Sequence, residues 1–112
     1  MDKITRKQIV RTNSVYGGTP IIGDSLDYAI EKANEEKRFY KKLSYLVRSM
    51  TSDHNFTDGN KRTAITIVLT EFQEEGIKVN EMMLRNTIVN LAKTGEGDLN
   101  KIERKLRRCS RK

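Results

Sequence analysis

The chain has 112 residues, a formal net charge of +7 and a pI near 9.7. That length suffices for one domain, residues 1–112, whose core needs neither a disulfide nor a structural metal. The single Cys109 excludes an internal disulfide, and one cysteine with one histidine excludes a zinc cluster. No apolar run approaches the roughly 20 residues of a transmembrane helix, and the first residues lack a signal-peptide pattern. We therefore expect a cytoplasmic domain without membrane association.

The positive charge is concentrated at the C-terminal end. Residues 101–112 contain seven basic side chains and one acid, whereas the rest of the chain contains fifteen basic and fourteen acidic side chains. Because the body is nearly neutral, we do not expect it to bind nucleic acid. The segment 98–112 predicts a basic helix or tail. Two readings of it stay open: a solvated face with frayed last residues, or a surface for RNA or an acidic protein segment.

Helical periodicity dominates from the start of the chain. Thr5 and Gln8 predict a capping box for a first helix that runs towards Val15. The segment 17–23 holds three of the seven glycines and the only proline, so it predicts a turn or a short extended hairpin.

The middle of the chain predicts two amphipathic helices. Asp24 or Ser25 would cap the first of them, whose apolar face is Leu26, Ala29, Ile30 and Ala33. From about Glu36 the apolar spacing predicts a longer helix. Its apolar positions are Phe39, Leu43, Leu46, Val47 and Met50.

A polar stretch, 51–60, precedes a segment that is apolar nearly all round, 63–72, which predicts a buried central helix ending near Gly76. Asn80 and Gly95 fit the cap and the end of a fifth helix, and Asp98 fits the cap of a sixth. The sequence thus predicts an all-α fold of six helices around a buried central helix, with one glycine-rich loop or β-hairpin.

The stretch from His54 to Arg62 combines groups suited to phosphate chemistry. Gly59 lets a backbone approach a phosphate closely at a helix N-terminus, and Arg62 offers a planar, charged fork. Asp58 is an oxygen ligand suited to Mg²⁺ that is shared with phosphates. Histidine is the side-chain type best suited to exchange a proton near neutral pH, so His54 can take a proton from an attacking hydroxyl.

The pattern His-x-Phe-x-Asp-Gly-Asn-Lys-Arg over residues 54–62 resembles the signature of the Fic/Doc (Fido) family. Its Lys-Arg ending, followed by Thr63 and Ala64, resembles the Doc (death-on-curing) branch. The resemblance implies a Fic/Doc-type helical bundle that uses Mg²⁺ and ATP, or another nucleoside triphosphate. It implies that His54 deprotonates a hydroxyl of a target protein and that Asp58 holds the metal.

The resemblance assigns further roles by position. It implies that Gly59, Asn60, Lys61 and Arg62 surround the phosphates, with both the backbone and the side chain of Asn60 taking part, and that Phe56 anchors the motif in the core. It also implies a flap that docks the target's backbone beside the nucleotide. The flap residues would be Gly17, Gly18, Thr19, Pro20, Ile21, Ile22 and Gly23.

Lys61 bears on which group is transferred. Most AMP-transferring members of the family have glycine at this position, and a lysine accompanies a reversed nucleotide in Doc-type proteins. The resemblance therefore favours transfer of phosphate to a Ser, Thr or Tyr hydroxyl by a growth-arresting toxin, with inhibition by a separate antitoxin chain. The alternatives are protein AMPylation at the same site, and a non-catalytic nucleic-acid or protein-binding module that uses the basic C-terminus.

Overall fold

The computed structural model describes residues 3–21 and 25–111, and these fold into six α-helices. The all-α prediction is confirmed. The helices are α1 (Arg6–Val15), α2 (Ser25–Glu35), α3 (Phe39–Thr51), α4 (Asn60–Glu74), α5 (Glu81–Thr94) and α6 (Leu99–Arg107). None of the described helices is long and apolar enough to cross a membrane.

Local capping explains where α1, α5 and α6 begin and where α5 ends. The Thr5 hydroxyl accepts from Gln8 N and the Gln8 side chain accepts from Thr5 N, which completes the predicted capping box. Asn80 and Asp98 cap α5 and α6 as predicted, and Gly95 ends α5 in the left-handed conformation. Ser25 is the first residue of α2, and Asp24 lies outside the described residues.

The core centres on two neighbouring helices, α3 and α4. Helix α3 packs against α2, α4, α5 and α6, while α4 packs against α1, α3 and α5. The predicted burial of α4 is confirmed, since Ala64, Val68 and Phe72 have no exposed surface. Close packing around α4 fixes its direction, and therefore the position of its N-terminus, where the 54–62 motif ends.

The described part of the glycine-rich segment, 17–21, is a loop. Within it, Pro20 forms an isolated antiparallel bridge with Phe56 of the motif. The backbone of this segment therefore pairs with the motif. Ile22 and Gly23 lie outside the described residues.

The C-terminal segment is held in place as far as Arg111, so the expected fraying is wrong there. Arg111 N donates to Lys78 O at 2.7 Å, and Asn80 N donates to Cys109 O at 2.8 Å. Cys109, which looks incidental in the sequence, is fully buried in the core, and burial raises the pKa of its thiol. Basic residues flank Cys109 in the sequence and suggest a solvent-exposed segment. The backbone pairing of this segment with residues 78–80 was therefore not predicted.

Candidate active site

A cavity of about 730 Å³ opens where α4 begins. The motif supplies most of its lining, from His54 and from residues 57–62. Every motif position predicted to touch a nucleotide, a metal or a target hydroxyl therefore lies at one cavity. Phe56 points the other way and is buried in the core with 1% of its surface exposed.

The N-terminus of α4 at this cavity has free backbone donors. Gly59 is the N-cap residue at φ +72°, and no side chain caps the helix. The first intrahelical bond runs from Thr63 N to Gly59 O at 2.9 Å, so the N–H groups of residues 60–62 precede the helical ladder. Because the helix dipole adds partial positive charge here and the first turn has no acid, the position favours an anion.

Side-chain charge reinforces this preference. Lys61, Arg62 and Lys93 line the cavity, and Asp58 is the one carboxylate in its lining. None of the three cations forms an ion pair with a carboxylate of the described residues. A polyanion such as a triphosphate would supply the missing negative charge.

His54 has a strained backbone. Its φ of +51° makes it the one residue other than glycine in the left-handed region, within 3–21 and 25–111. Such a conformation persists only where neighbouring contacts impose it, and it is concentrated at functional sites. The Asn55 side chain donates to Ser49 O at 2.6 Å, and Ser25 Oγ donates to Asp53 Oδ2 at 2.7 Å. These bonds hold the residues on both sides of the exposed imidazole.

Asn60 has a structural role that its position in the motif does not reveal. Its Oδ1 accepts from Phe56 N at 3.1 Å, and its Nδ2 donates to Phe56 O at 2.8 Å. The side chain therefore closes the loop that carries Asp58. Its backbone N–H and its second amide hydrogen are the groups left for a phosphate.

Asn13 was missed by sequence reasoning, although it supports the motif from α1. It is fully buried, and its Nδ2 donates to Asp58 O at 2.8 Å and to Thr63 Oγ1 at 3.1 Å. The available signal was its spacing of four residues from Ile9, which places a polar residue on the buried face of the helix.

Two glycines allow the motif turn to approach α1 closely. A Cβ at Gly18 would overlap the Asn13 side chain and the Asp58 carbonyl. A Cβ at Gly59 would lie 2.8 Å from Tyr16 Cβ, and the φ of +72° already disfavours other residues there. Both glycines therefore allow the motif turn to pack against α1, in addition to any contact with phosphate.

The described part of the predicted flap lies directly beside the motif. Thr57 N donates to Thr19 O at 2.9 Å, and Ile21 N donates to Asn55 O at 2.8 Å. Since these groups face the motif, the alternation of an extended chain places the Pro20 carbonyl on the opposite edge. The segment is therefore paired with the residues that immediately follow His54.

The donor set at Asp58 fits Mg²⁺ and does not fit a closed structural metal site. Asp58 Oδ1 accepts from Gly59 N at 2.7 Å, and the carboxylate is exposed. Within the described residues, no three His, Cys, Asp or Glu side chains cluster as a metal site. Mg²⁺ retains several waters and takes substrate phosphate oxygens, so one protein carboxylate is a suitable contribution.

The second wall of the cavity was also missed. It consists of Tyr16 at the end of α1 and of Val89, Ala92 and Lys93 on α5. The Tyr16 hydroxyl is hydrogen-bonded to Thr66 Oγ1 at 2.7 Å, which fixes the ring against α4. The only signal on α5 was that Val89, Ala92 and Lys93 share a face at helical spacing, and Val89 is 48% exposed.

In a comparison with protein families, the model described as Fic/DOC family matches residues 4–71. This range is more than half of the chain and contains α1, the glycine-rich segment, the whole motif and most of α4. No curated protein matches the sequence. The cavity wall formed by α5, and all of α6, lie beyond the matched range.

Proposed function

The chain belongs to the Fic/DOC family, whose members are generally protein-modifying transferases, and we propose that it transfers phosphate from ATP or a related triphosphate to a protein hydroxyl. The observation that carries this proposal is the uncapped N-terminus of α4, which opens into a cavity lined by three cations and by His54. That arrangement provides an anion site and a general base within one space.

The chemistry follows from the groups present. His54 takes the proton of a Ser, Thr or Tyr hydroxyl of the target. The oxygen of that hydroxyl bonds to the γ-phosphorus of ATP, and the bond from the γ-phosphorus to the β–γ bridging oxygen breaks. The products are a phosphoester on the target and ADP. The backbone N–H groups of 60–62, with Lys61 and Arg62, stabilise the phosphate charge. Mg²⁺ bound at Asp58 would neutralise charge on the phosphate oxygens.

The target is proposed to dock through residues 17–23. In the described part, Thr19 and Ile21 bond to the motif, so the outer edge of this segment is left to pair with an extended target backbone. Docking there would bring a target hydroxyl beside His54.

Lys61 supports phosphate transfer over AMP transfer. A long cationic side chain at the helix N-terminus occupies space and adds charge where a small residue would admit an α-phosphate. AMPylation uses the same residues with the nucleotide reversed, and it is the alternative that an experiment must separate.

ATP labelled at the α or the γ phosphate separates the two reactions. The purified chain is incubated with each label, Mg²⁺ and a cell lysate, and labelled protein is resolved on a gel. We expect label from the γ position, abolished by His54→Ala and reduced by EDTA. Label from the α position alone would show AMP transfer, and no label with the wild-type chain from either position would contradict the transferase proposal.

The growth-arresting role, the separate antitoxin and the cytoplasmic location stay predictions. Inducing the wild-type chain in a bacterial culture should stop growth, whereas the same level of His54→Ala should not. Equal arrest by both chains would argue against a toxic activity that depends on the motif.

A further inference from the structure

A second surface lies between α5 and the C-terminal end of α6, and it shares no lining residue with the active-site cavity. It is a groove of about 530 Å³. Met82 and Met83 form its apolar part, and they are 74% and 43% exposed. Lys105, Arg108 and several Asn side chains form its polar part, and the lining contains no carboxylate.

The two methionines have no evident role in folding. Helix α5 already packs against the core through Leu84, Ile88 and Leu91, which are fully buried. Adjacent exposed methionines are flexible and polarizable, so they adapt to apolar side chains of a partner. Their position in a concave surface favours binding over chance exposure.

Positive charge runs along one edge of the groove. Lys105 and Arg108 line the groove, and Lys101 and Arg104 share their helical spacing on the preceding turn of α6. None of the four forms an ion pair with a carboxylate of the described residues; the ion pair on α6 joins Arg107 to Glu103. Lys105 Nζ donates to Asn90 Oδ1 at 3.2 Å, so its charge stays uncompensated beside the groove.

The groove has a fixed shape. The bonds from Arg111 N to Lys78 O and from Asn80 N to Cys109 O tie the end of the chain to the start of α5. Cys109 is fully buried beneath this junction. The surface is therefore formed before any partner binds, which lowers the entropic cost of docking.

We propose that this groove binds an acidic amphipathic helix of a partner protein. Apolar side chains of that helix contact Met82 and Met83, and its carboxylates pair with Lys105 and Arg108. A helix suits a groove between two helices, and charge complementarity requires that it be acidic. RNA is disfavoured because no aromatic ring lines the groove for base stacking. The inference does not depend on the catalytic proposal.

Methyl NMR of the full chain labelled at its methionines tests the inference. The probe is a synthetic helical peptide of about four turns, with leucines on one face and glutamates flanking them. The methyl signals of Met82 and Met83 should shift on titration, while that of Met50, which is fully buried, should not. Unmoved Met82 and Met83 signals, or equal shifts with a scrambled peptide, would overturn the proposal.

Charge-reversal variants locate the contact. The double variant Lys105→Glu with Arg108→Glu should weaken binding about tenfold at low salt. Lys7→Glu with Arg11→Glu makes the same change in net charge on α1 and should leave affinity within about twofold. Met82→Ser, which keeps every charge, should also weaken binding. Equal loss in the α1 control, or displacement of the peptide by a uridine oligonucleotide that shifts the same methyls, would contradict an acidic-helix site.

Discussion

At the scale of single residues, the cavity depends on side chains from outside the motif as well as within it. Lys93 reaches the cavity from α5 and forms no ion pair within the described part of the chain. In the proposed reaction, its counterion would be a phosphate of the nucleotide. Because α5 lies beyond the matched range, this cation does not come from the motif.

Lys93→Ala should therefore weaken ATP binding about tenfold, the loss of one charge-assisted contact. The affinity for AMP should fall less, because AMP has fewer phosphate groups to pair with. Calorimetry in the His54→Ala background measures binding without turnover. Lys101→Ala, which removes the same charge from α6, is the matched control, and an equal loss there would point to a general charge effect.

At the scale of elements, the motif turn is seated between α1 and α4. Asn13 bonds to both the Asp58 carbonyl and Thr63, and Gly59 lies against Tyr16. The closeness of these contacts makes the turn intolerant of added atoms. Gly59 and Gly76 provide a comparison, because they have nearly equal φ of +72° and +70° at opposite ends of α4.

Gly59→Ala should cost more stability than Gly76→Ala. Both pay the backbone strain of a left-handed alanine, about 1–2 kcal/mol. Only Gly59 adds an overlap with Tyr16, whereas nothing lies within 4 Å of a Cβ at Gly76. Urea denaturation of the two variants gives the difference. Equal losses would mean that the turn moves away from α1 at little cost.

The elements also show what the sequence could predict. Thr5, Asn80 and Asp98 predicted the starts of their helices because a cap bonds to backbone groups only two or three positions away. The pairing of Cys109 with Asn80 and the contact of Asn13 with Asp58 were not predicted, because they join residues far apart in sequence. The motif located the residues on one wall of the cavity, while the α5 wall needed the packing of helices that the motif does not encode.

At the scale of the whole molecule, net charge and buried charge have separate consequences. The surplus of positive charge lies in residues 101–112, where Lys105 and Arg108 line the groove beside Met82. A carboxylate is buried at the other end of the same α4 that carries the motif: Glu71 is 3% exposed, and its Oε1 has no hydrogen-bond partner. Such a group makes the stability of the entire fold depend on pH.

Burial, assisted by the neighbouring Glu74, raises the pKa of Glu71 from 4.5 to about 7, against the opposing influence of Lys42. Folding therefore favours the protonated carboxyl, so the stability it supports is complete below pH 4.5 and is lost as the pH rises through 7. Glu71→Gln keeps the shape without the charge. It should exceed the wild type in unfolding free energy by about 1–3 kcal/mol at pH 8.

The two chains should differ little at pH 4, where Glu71 is protonated in both folded and unfolded states. Urea denaturation of both chains between pH 4 and pH 8 gives the difference in their unfolding free energies. The other titratable groups are common to the two chains and cancel in this difference, so it reports the contribution of Glu71. A constant difference across the range would show that the carboxyl does not change its protonation on folding. A wild type more stable than Glu71→Gln at pH 8 would show that Glu71 is stabilised as the anion, with Lys42 outweighing the cost of burial.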